Sequence, residues 1–133
     1  MKIIDIEGIG PVYAVKLTMA DIRSAEALLK KGASAKGRKE IAAATGITPA
    51  LILEWVNRAD LHRVKGVARQ YSDLLEKAGV DTVLELSKRE ADHLYKKMIE
   101  VNKAGNLVNH MPNLRQVKEW IGQARKLPRV VTY

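Results

Sequence analysis

The sequence contains no cysteine and no phenylalanine, and its aromatic residues are four Tyr and two Trp. Without cysteine, neither a disulfide framework nor a thiolate zinc site can form, so the core depends on packing alone. Such a chain suits a reducing compartment, and we expect a cytoplasmic location. The few aromatic side chains also leave little for stacking on nucleic-acid bases, since Trp55 and Trp120 are predicted to be core anchors.

Long apolar segments are missing as well. The longest uncharged stretch, residues 41–53, contains Gly46 and Pro49 and is too short to span a bilayer. Near the start, Asp5 and Glu7 stand where a secretory signal requires apolar residues. We therefore expect neither an export signal nor a membrane partner.

The composition is that of a folded basic protein, with 47% hydrophobic and 29% charged residues and a formal net charge of +8. Residues 1–60 hold 9 basic and 7 acidic side chains, whereas residues 61–133 hold 14 and 8, so the second part carries +6 of the +8. Positive charge favours a polyanionic partner because Lys and Arg release counterions from phosphate backbones. Many basic proteins, however, use such charge only for solubility.

The chain contains two copies of one pattern. Shifted by 58 positions, the segment from Ile6 aligns with the segment from Val64, and 6 of the 25 aligned pairs are identical. Trp55 and Trp120 align at an offset of 65, which indicates a seven-residue insertion in the second copy. We expect two lobes, residues 1–60 and 61–133, packed as one compact unit. The identical pairs are Gly8 and Gly66, Tyr13 and Tyr71, Leu17 and Leu75, Ala20 and Ala78, Leu28 and Leu86, and Lys30 and Lys88.

Apolar periodicity and capping residues predict an all-α fold. Ser24, Thr82, Ser87 and Asn113 can each cap a helix start through a side-chain oxygen. The two termini, KIIDI and RVVTY, are rich in β-branched residues, and we expect that they can pair as a minimal β ribbon. Helices are predicted at about residues 11–20, 25–31, 36–45, 49–60, 68–78, 83–87, 88–104 and 114–126.

Each copy contains a tight turn that leads into a helix, and we call residues 6–10 the first turn and residues 64–68 the second turn. Both have the spacing of a helix-hairpin-helix motif. Glycine lets the backbone approach a ligand closely, and amides at the next helix start can hold a phosphate oxygen, which is binding that ignores base sequence. The pattern consists of Ile6, Gly8, Ile9 and Gly10 in the first turn and of Val64, Gly66 and Val67 in the second.

The chain resembles the helix-hairpin-helix superfamily at these turns and, more closely, an uncharacterised prokaryotic family, domain-of-unknown-function family 4332. This closer resemblance covers nearly the whole chain and rests on IEGIGPVYA, GRKEIAAATGI, LILEWVNRADL, YSDLLEKAGVDTV and VVTY. A weaker similarity links LLEKAGVDTVLEL to the C-terminal domain of the RNA polymerase α subunit. The superfamily implies SAM-domain-like helical lobes and contact with the DNA backbone, whereas the closer family implies no established activity.

The two turns depart from the phosphate-binding pattern in different ways. In the first turn Glu7 adds a negative charge, Pro11 removes one amide, and Val12 stands where DNA-binding members often carry a basic residue. Around the second turn the chain has Arg63, Lys65 and Arg69, but Ala68 replaces the second glycine and adds a methyl group. The second turn is therefore the better candidate for binding.

Other features favour packing over function. A glycine turn between two packed helices is needed by the fold whether or not a ligand docks on it. The segment IAAATGITPALILEWV fits a helix-turn-helix template, but its second helix lacks the polar and basic side chains that read bases. Lys36, Arg38 and Lys39 lie near a helix start and could serve a partner, although a solvated face is the commoner role of such a cluster.

The sequence offers no recognisable catalytic or metal site. His62, His93 and His110 are scattered, without a ligand at helical spacing, and no GxxxxGK phosphate loop is present. We expect no enzyme activity, no metal and no cofactor.

We therefore expect a non-catalytic, sequence-independent nucleic-acid-binding module whose partner is double-stranded DNA. The alternative is a protein-interaction or scaffold module that binds another protein or a second copy of itself. The residues predicted to contact nucleic acid are Gly8, Ile9, Gly10, Arg63, Lys65, Gly66, Val67, Ala68 and Arg69.

Overall fold

The computed structural model describes residues 1–67 and 69–133, and its regular structure confirms the predicted all-α class. A single turn of 3₁₀ helix, Ile3–Asp5, precedes the α-helices. The α-helices are α1 (Pro11–Met19), α2 (Ala25–Gly32), α3 (Ala35–Thr45), α4 (Pro49–Leu61), α5 (Arg69–Lys77), α6 (Val83–Ser87), α7 (Ala91–Gly105) and α8 (Leu114–Lys126). None of the described helices is both long enough and apolar enough to cross a membrane.

The chain folds as two compact units. Unit 1 comprises Met1–Asp60 together with Val130–Tyr133, and unit 2 comprises Leu61–Arg129. The last four residues, which the sequence groups with the second lobe, therefore pack in unit 1. Each unit has a hydrophobic core of its own.

The core of unit 1 follows from helical periodicity. Along α4, Ile52, Trp55, Val56 and Ala59 stand at the i, i+3, i+4 and i+7 positions of one face, and all four are buried. The helix starts are capped locally, as with the Ser24 hydroxyl that accepts the Ala27 amide at 3.0 Å.

The core of unit 2 repeats this logic on α8. Val117, Trp120, Ile121 and Ala124 have the same spacing and are all buried. The predicted cap at Asn113 is confirmed, because its side chain accepts the Gln116 amide in a complete capping box.

The start of α7 differs from the prediction. The capping residue is Glu90 and not Ser87, and its carboxylate accepts the amides of His93 at 3.0 Å and Asp92 at 3.3 Å. The hydrogen bond from the His93 amide, and to a smaller extent that from Asp92, lowers the pKa of Glu90 below its ordinary value. Ser87 is the last residue of α6, and its hydroxyl donates to the Leu84 carbonyl.

The β ribbon predicted from the two termini is wrong. Lys2 forms an isolated bridge with Ser24, and Ile3 lies in the 3₁₀ turn. At the other end, the Thr132 amide donates to the Ala33 carbonyl at 2.7 Å. The β-branched side chains of the two ends serve as core residues instead, since Ile3 and Val131 are both buried in unit 1.

The prediction that Lys36, Arg38 and Lys39 form a solvated face is wrong for Arg38. Lys36 and Lys39 are exposed, but Arg38 is buried. The Arg38 guanidinium is buried and donates to the carbonyls of Gly32 at 2.9 Å, Ala33 at 3.1 Å and Thr132 at 2.7 Å. It thus satisfies carbonyls at the end of α2 and holds the C-terminal tail to unit 1.

Candidate nucleic-acid interface

The second turn presents two of its residues to solvent. Val64 and Val67 are buried, and the Val67 amide donates to the Val64 carbonyl at 3.2 Å, which reverses the chain. Lys65 and Gly66, between them, are exposed. Gly66 has φ of +94°, a left-handed conformation that side-chain-bearing residues rarely adopt. The burial of the two valines is therefore what turns Lys65 and Gly66 toward solvent.

Packing beneath the second turn imposes a separate demand for glycine. A Cβ atom added to Gly66 would lie 2.9 Å from Nε1 of Trp120. Tyr71 also packs against this indole, with ring centroids 5.5 Å apart and planes tilted by 45°. The fold itself thus requires glycine at position 66, whether or not a ligand binds the turn.

The cations around the second turn are placed differently from one another. Lys65 is exposed, and Arg69, also exposed, is the first residue of α5. Arg63 is partly buried and donates from Nη2 to the Pro128 carbonyl at 2.7 Å. Arg63 therefore has a structural contact that the sequence did not indicate, while Ala68 lies outside the described residues.

The start of α5 adds electrostatic character to this turn. Amides in the first turn of a helix have no partners within the helix and carry its positive dipole end. The first turn of α5 holds no acidic residue that would neutralise this end, and its first residue is Arg69. The arrangement can attract an anionic oxygen by charge and by hydrogen bonding.

Gln123 on α8 contacts the second turn and was missed by sequence reasoning. Its side-chain oxygen accepts the Lys65 amide at 2.8 Å, and its Nε2 donates to the Lys65 carbonyl at 3.1 Å. Gln123 stands three residues after Trp120, hence one helical turn along the same helix. That spacing is the only signal in the sequence that could have pointed to it.

The first turn shares with the second a left-handed glycine and its packing on a tryptophan. Gly8 has φ of +92°, and a Cβ atom there would lie 3.2 Å from Nε1 of Trp55. Tyr13 packs on Trp55 with ring centroids 5.0 Å apart, and Ile6 and Ile9 are buried. Each unit therefore contains the same set of glycine, tyrosine and tryptophan, and the two tryptophans are core residues as predicted.

The chemistry of the first turn is different. Gly10 is the N-cap of α1 with φ of −84°, Pro11 at the next position has no amide hydrogen, and Glu7 precedes Gly8. The helix then exposes apolar side chains: Val12, Val15 and Met19 are 68%, 58% and 83% exposed. The residues predicted at the two turns thus divide into a basic set in unit 2 and an acidic and apolar set in unit 1.

The remaining candidates include a core residue, two exposed histidines and one histidine that contacts the second turn. Ile52 of the helix-turn-helix-like segment is buried, as packing requires. His93 and His110 are exposed, and Nδ1 of His62 lies 2.9 Å from the Val67 carbonyl oxygen. Across residues 1–67 and 69–133, no three His, Asp or Glu side chains are grouped so that they could hold a metal ion.

Comparison with known families identifies the chain. The family model described as Domain of unknown function (DUF4332) matches residues 7–127, nearly the whole length. No curated protein and no solved structure matches the chain. The chain therefore belongs to the DUF4332 family.

Proposed function

We propose that this member of the DUF4332 family is a non-catalytic module that binds the backbone of double-stranded DNA without reading base sequence. The contact is made by the second turn, which we regard as a helix-hairpin-helix element. Its carrying observation is the exposure of Lys65 and Gly66 next to the exposed Arg69 at the start of α5. Gly66 itself carries no side chain, and the exposed cations Lys65 and Arg69 precede and follow it in the chain.

The charge of unit 2 supports a polyanionic ligand. Residues 61–129 contain 14 basic and 8 acidic side chains and so have a net charge of +6. Residues 1–60 contain 9 basic and 7 acidic side chains and have a net charge of only +2. Phosphates are identical at every base pair, so a site made of charge and main-chain amides has no means of selecting sequence. The proposed binding is therefore general and strongly dependent on salt.

The first turn has a structural role in this proposal. Glu7 repels a phosphate, Pro11 offers no amide, and Val12 replaces a cation with an exposed apolar side chain. Its glycine is explained by the left-handed backbone and the indole of Trp55, without any ligand.

The test is a titration of a fluorescent duplex of about twenty base pairs at about 50 mM and about 200 mM salt. Two phosphate contacts predict an affinity about tenfold weaker at the higher salt. The variant Lys65→Glu, Arg69→Glu should lose binding. The control variant Lys36→Glu, Lys39→Glu makes the same change in net charge on the exposed side of α3 and should retain most of it.

Circular dichroism must first show that both variants are folded. An absence of wild-type binding at low salt contradicts the proposal. Equal weakening by the two variants also contradicts it, because binding would then depend on overall charge and not on the second turn.

A second candidate function, protein interaction by unit 1, is favoured by one observation. Val12, Val15 and Met19 are spaced i, i+3 and i+7 on α1, so they form one exposed apolar stripe. Exposed apolar patches mark interaction sites when they are contiguous. Sedimentation of the wild type and of Val15→Lys, Met19→Lys tests whether the stripe supports self-association. If the wild type is a monomer at all concentrations, the stripe does not mediate self-association.

A further inference from the structure

The end of α8 is attached to the second turn by a two-point contact. The side chain of Gln123 binds both main-chain groups of Lys65, accepting from its amide at 2.8 Å and donating to its carbonyl at 3.1 Å. One amide side chain therefore fixes the peptide groups on either side of Lys65. Since Gln123 stands on a helix of 13 residues, the position it imposes is rigid.

Two more contacts extend this attachment on both sides of Lys65. The indole of Trp120, one turn earlier on α8, lies beneath Gly66. Just beyond the helix, the Pro128 carbonyl accepts from Arg63 at 2.7 Å. The second turn is thus contacted by α8 at Lys65 and Gly66, and the side chain of Arg63, just before the turn, is held by Pro128, two residues after the helix.

Lys126 brings a further cation to the same place. It is the last residue of α8, is exposed, and follows Gln123 by three positions. Residues three apart on a helix have Cβ atoms about 5–6 Å from each other, so Lys126 stands beside the residue that binds Lys65. A cation at a helix C-terminus is also favoured by the helix dipole.

We infer that the end of α8 is the second half of the phosphate-binding site, an inference that rests on the proposed function. Gln123 is a positioning residue that holds Lys65 and Gly66 in the shape that receives the phosphate. Lys126 makes an additional ionic contact with the DNA backbone.

The first copy lacks both residues. At the offset of 65 that aligns the two tryptophans, Gln123 corresponds to Arg58 and Lys126 to Leu61. Both of these side chains are buried. Neither a glutamine nor an exposed lysine therefore stands at the aligned positions, and unit 2 also carries most of the net charge.

The experiment measures duplex affinity over a salt series for the full chain and three variants. Gln123→Met keeps the length of the side chain, removes both of its hydrogen bonds to Lys65 and leaves the net charge of the protein unchanged. It should weaken binding about tenfold with an unchanged salt slope, because about that factor is lost when one residue's backbone must be ordered on binding. Lys126→Gln should instead make the negative slope of log affinity against log salt less steep by about 0.9, because one phosphate contact is lost.

Lys118→Gln is the matched control, since Lys118 is an exposed lysine of α8 that lines a cleft with Glu90 and Ala91 at the start of α7. It should leave the slope closer to that of the wild type than Lys126→Gln does. If Gln123→Met does not fold, Gln123→Glu retains the acceptor for the Lys65 amide. It should still bind at least about tenfold more weakly, because it loses the donor and adds a negative charge.

The two failures are distinguishable. If the wild type does not bind at low salt, the proposed function and this inference are both overturned. If the wild type binds through Lys65 and Arg69, but the Gln123 and Lys126 variants match it in affinity and slope, only the role of α8 is overturned.

Discussion

Substituting Gly66 tests how strongly the second turn is fixed by the fold. Gly66→Ala places a methyl group at φ of +94° and 2.9 Å from Nε1 of Trp120. The left-handed conformation costs about 1–2 kcal/mol for a residue with a Cβ, and overpacking a core side chain costs about 1–3 kcal/mol. We expect the free energy of unfolding of unit 2 to fall by about 2–5 kcal/mol.

Gly122→Ala is the matched control because it lies on the same helix as Trp120. A Cβ atom there meets nothing within 4 Å, and the residue is in the middle of α8. Replacing a helical glycine by alanine should stabilise by about 0.5–1 kcal/mol, so the two alanine variants are expected to shift stability in opposite directions.

Urea unfolding monitored by circular dichroism and by tryptophan fluorescence provides the measurement, since Trp120 is next to the substituted glycine. A Gly66→Ala protein as stable as the wild type would refute the reasoning. So would a Gly122→Ala protein that loses as much stability as Gly66→Ala.

Two further predictions concern stability elsewhere in the chain. Val131→Ala should destabilise unit 1 by about 2 kcal/mol in urea unfolding because this valine is buried, whereas exposed Thr132→Ala, which keeps its backbone hydrogen bonds, should change little. Glu90→Gln should lower the midpoint of thermal unfolding near pH 7, because the carboxylate accepts the amides of Asp92 and His93. Since the pKa of Glu90 is lowered by folding, its stabilisation is present above the ordinary carboxyl pKa. The difference between the two proteins should disappear as the pH falls through the lowered pKa, and a constant difference would argue against it.

The candidate site could be predicted in part. The charge of residues 61–133 and the cations near the second turn already favoured it over the first turn. Its supports could not be predicted, because Gln123 and Lys65 are 58 positions apart and Pro128 is 65 positions from Arg63. No local pattern encodes such pairs, since they depend on how helices pack and not on how one helix is patterned.

The sequence by itself determined the all-α class, the repeat and most core positions. These follow from short-range properties: helical periodicity, capping side chains at Ser24 and Asn113, and the glycine spacing of the two turns. Only the tertiary structure decided the roles of residues whose partners are distant in the chain. It buried Arg38 under the C-terminal tail, where the guanidinium binds main-chain carbonyls because a buried polar group needs a partner, and it brought Gln123 to the second turn through the packing of α8.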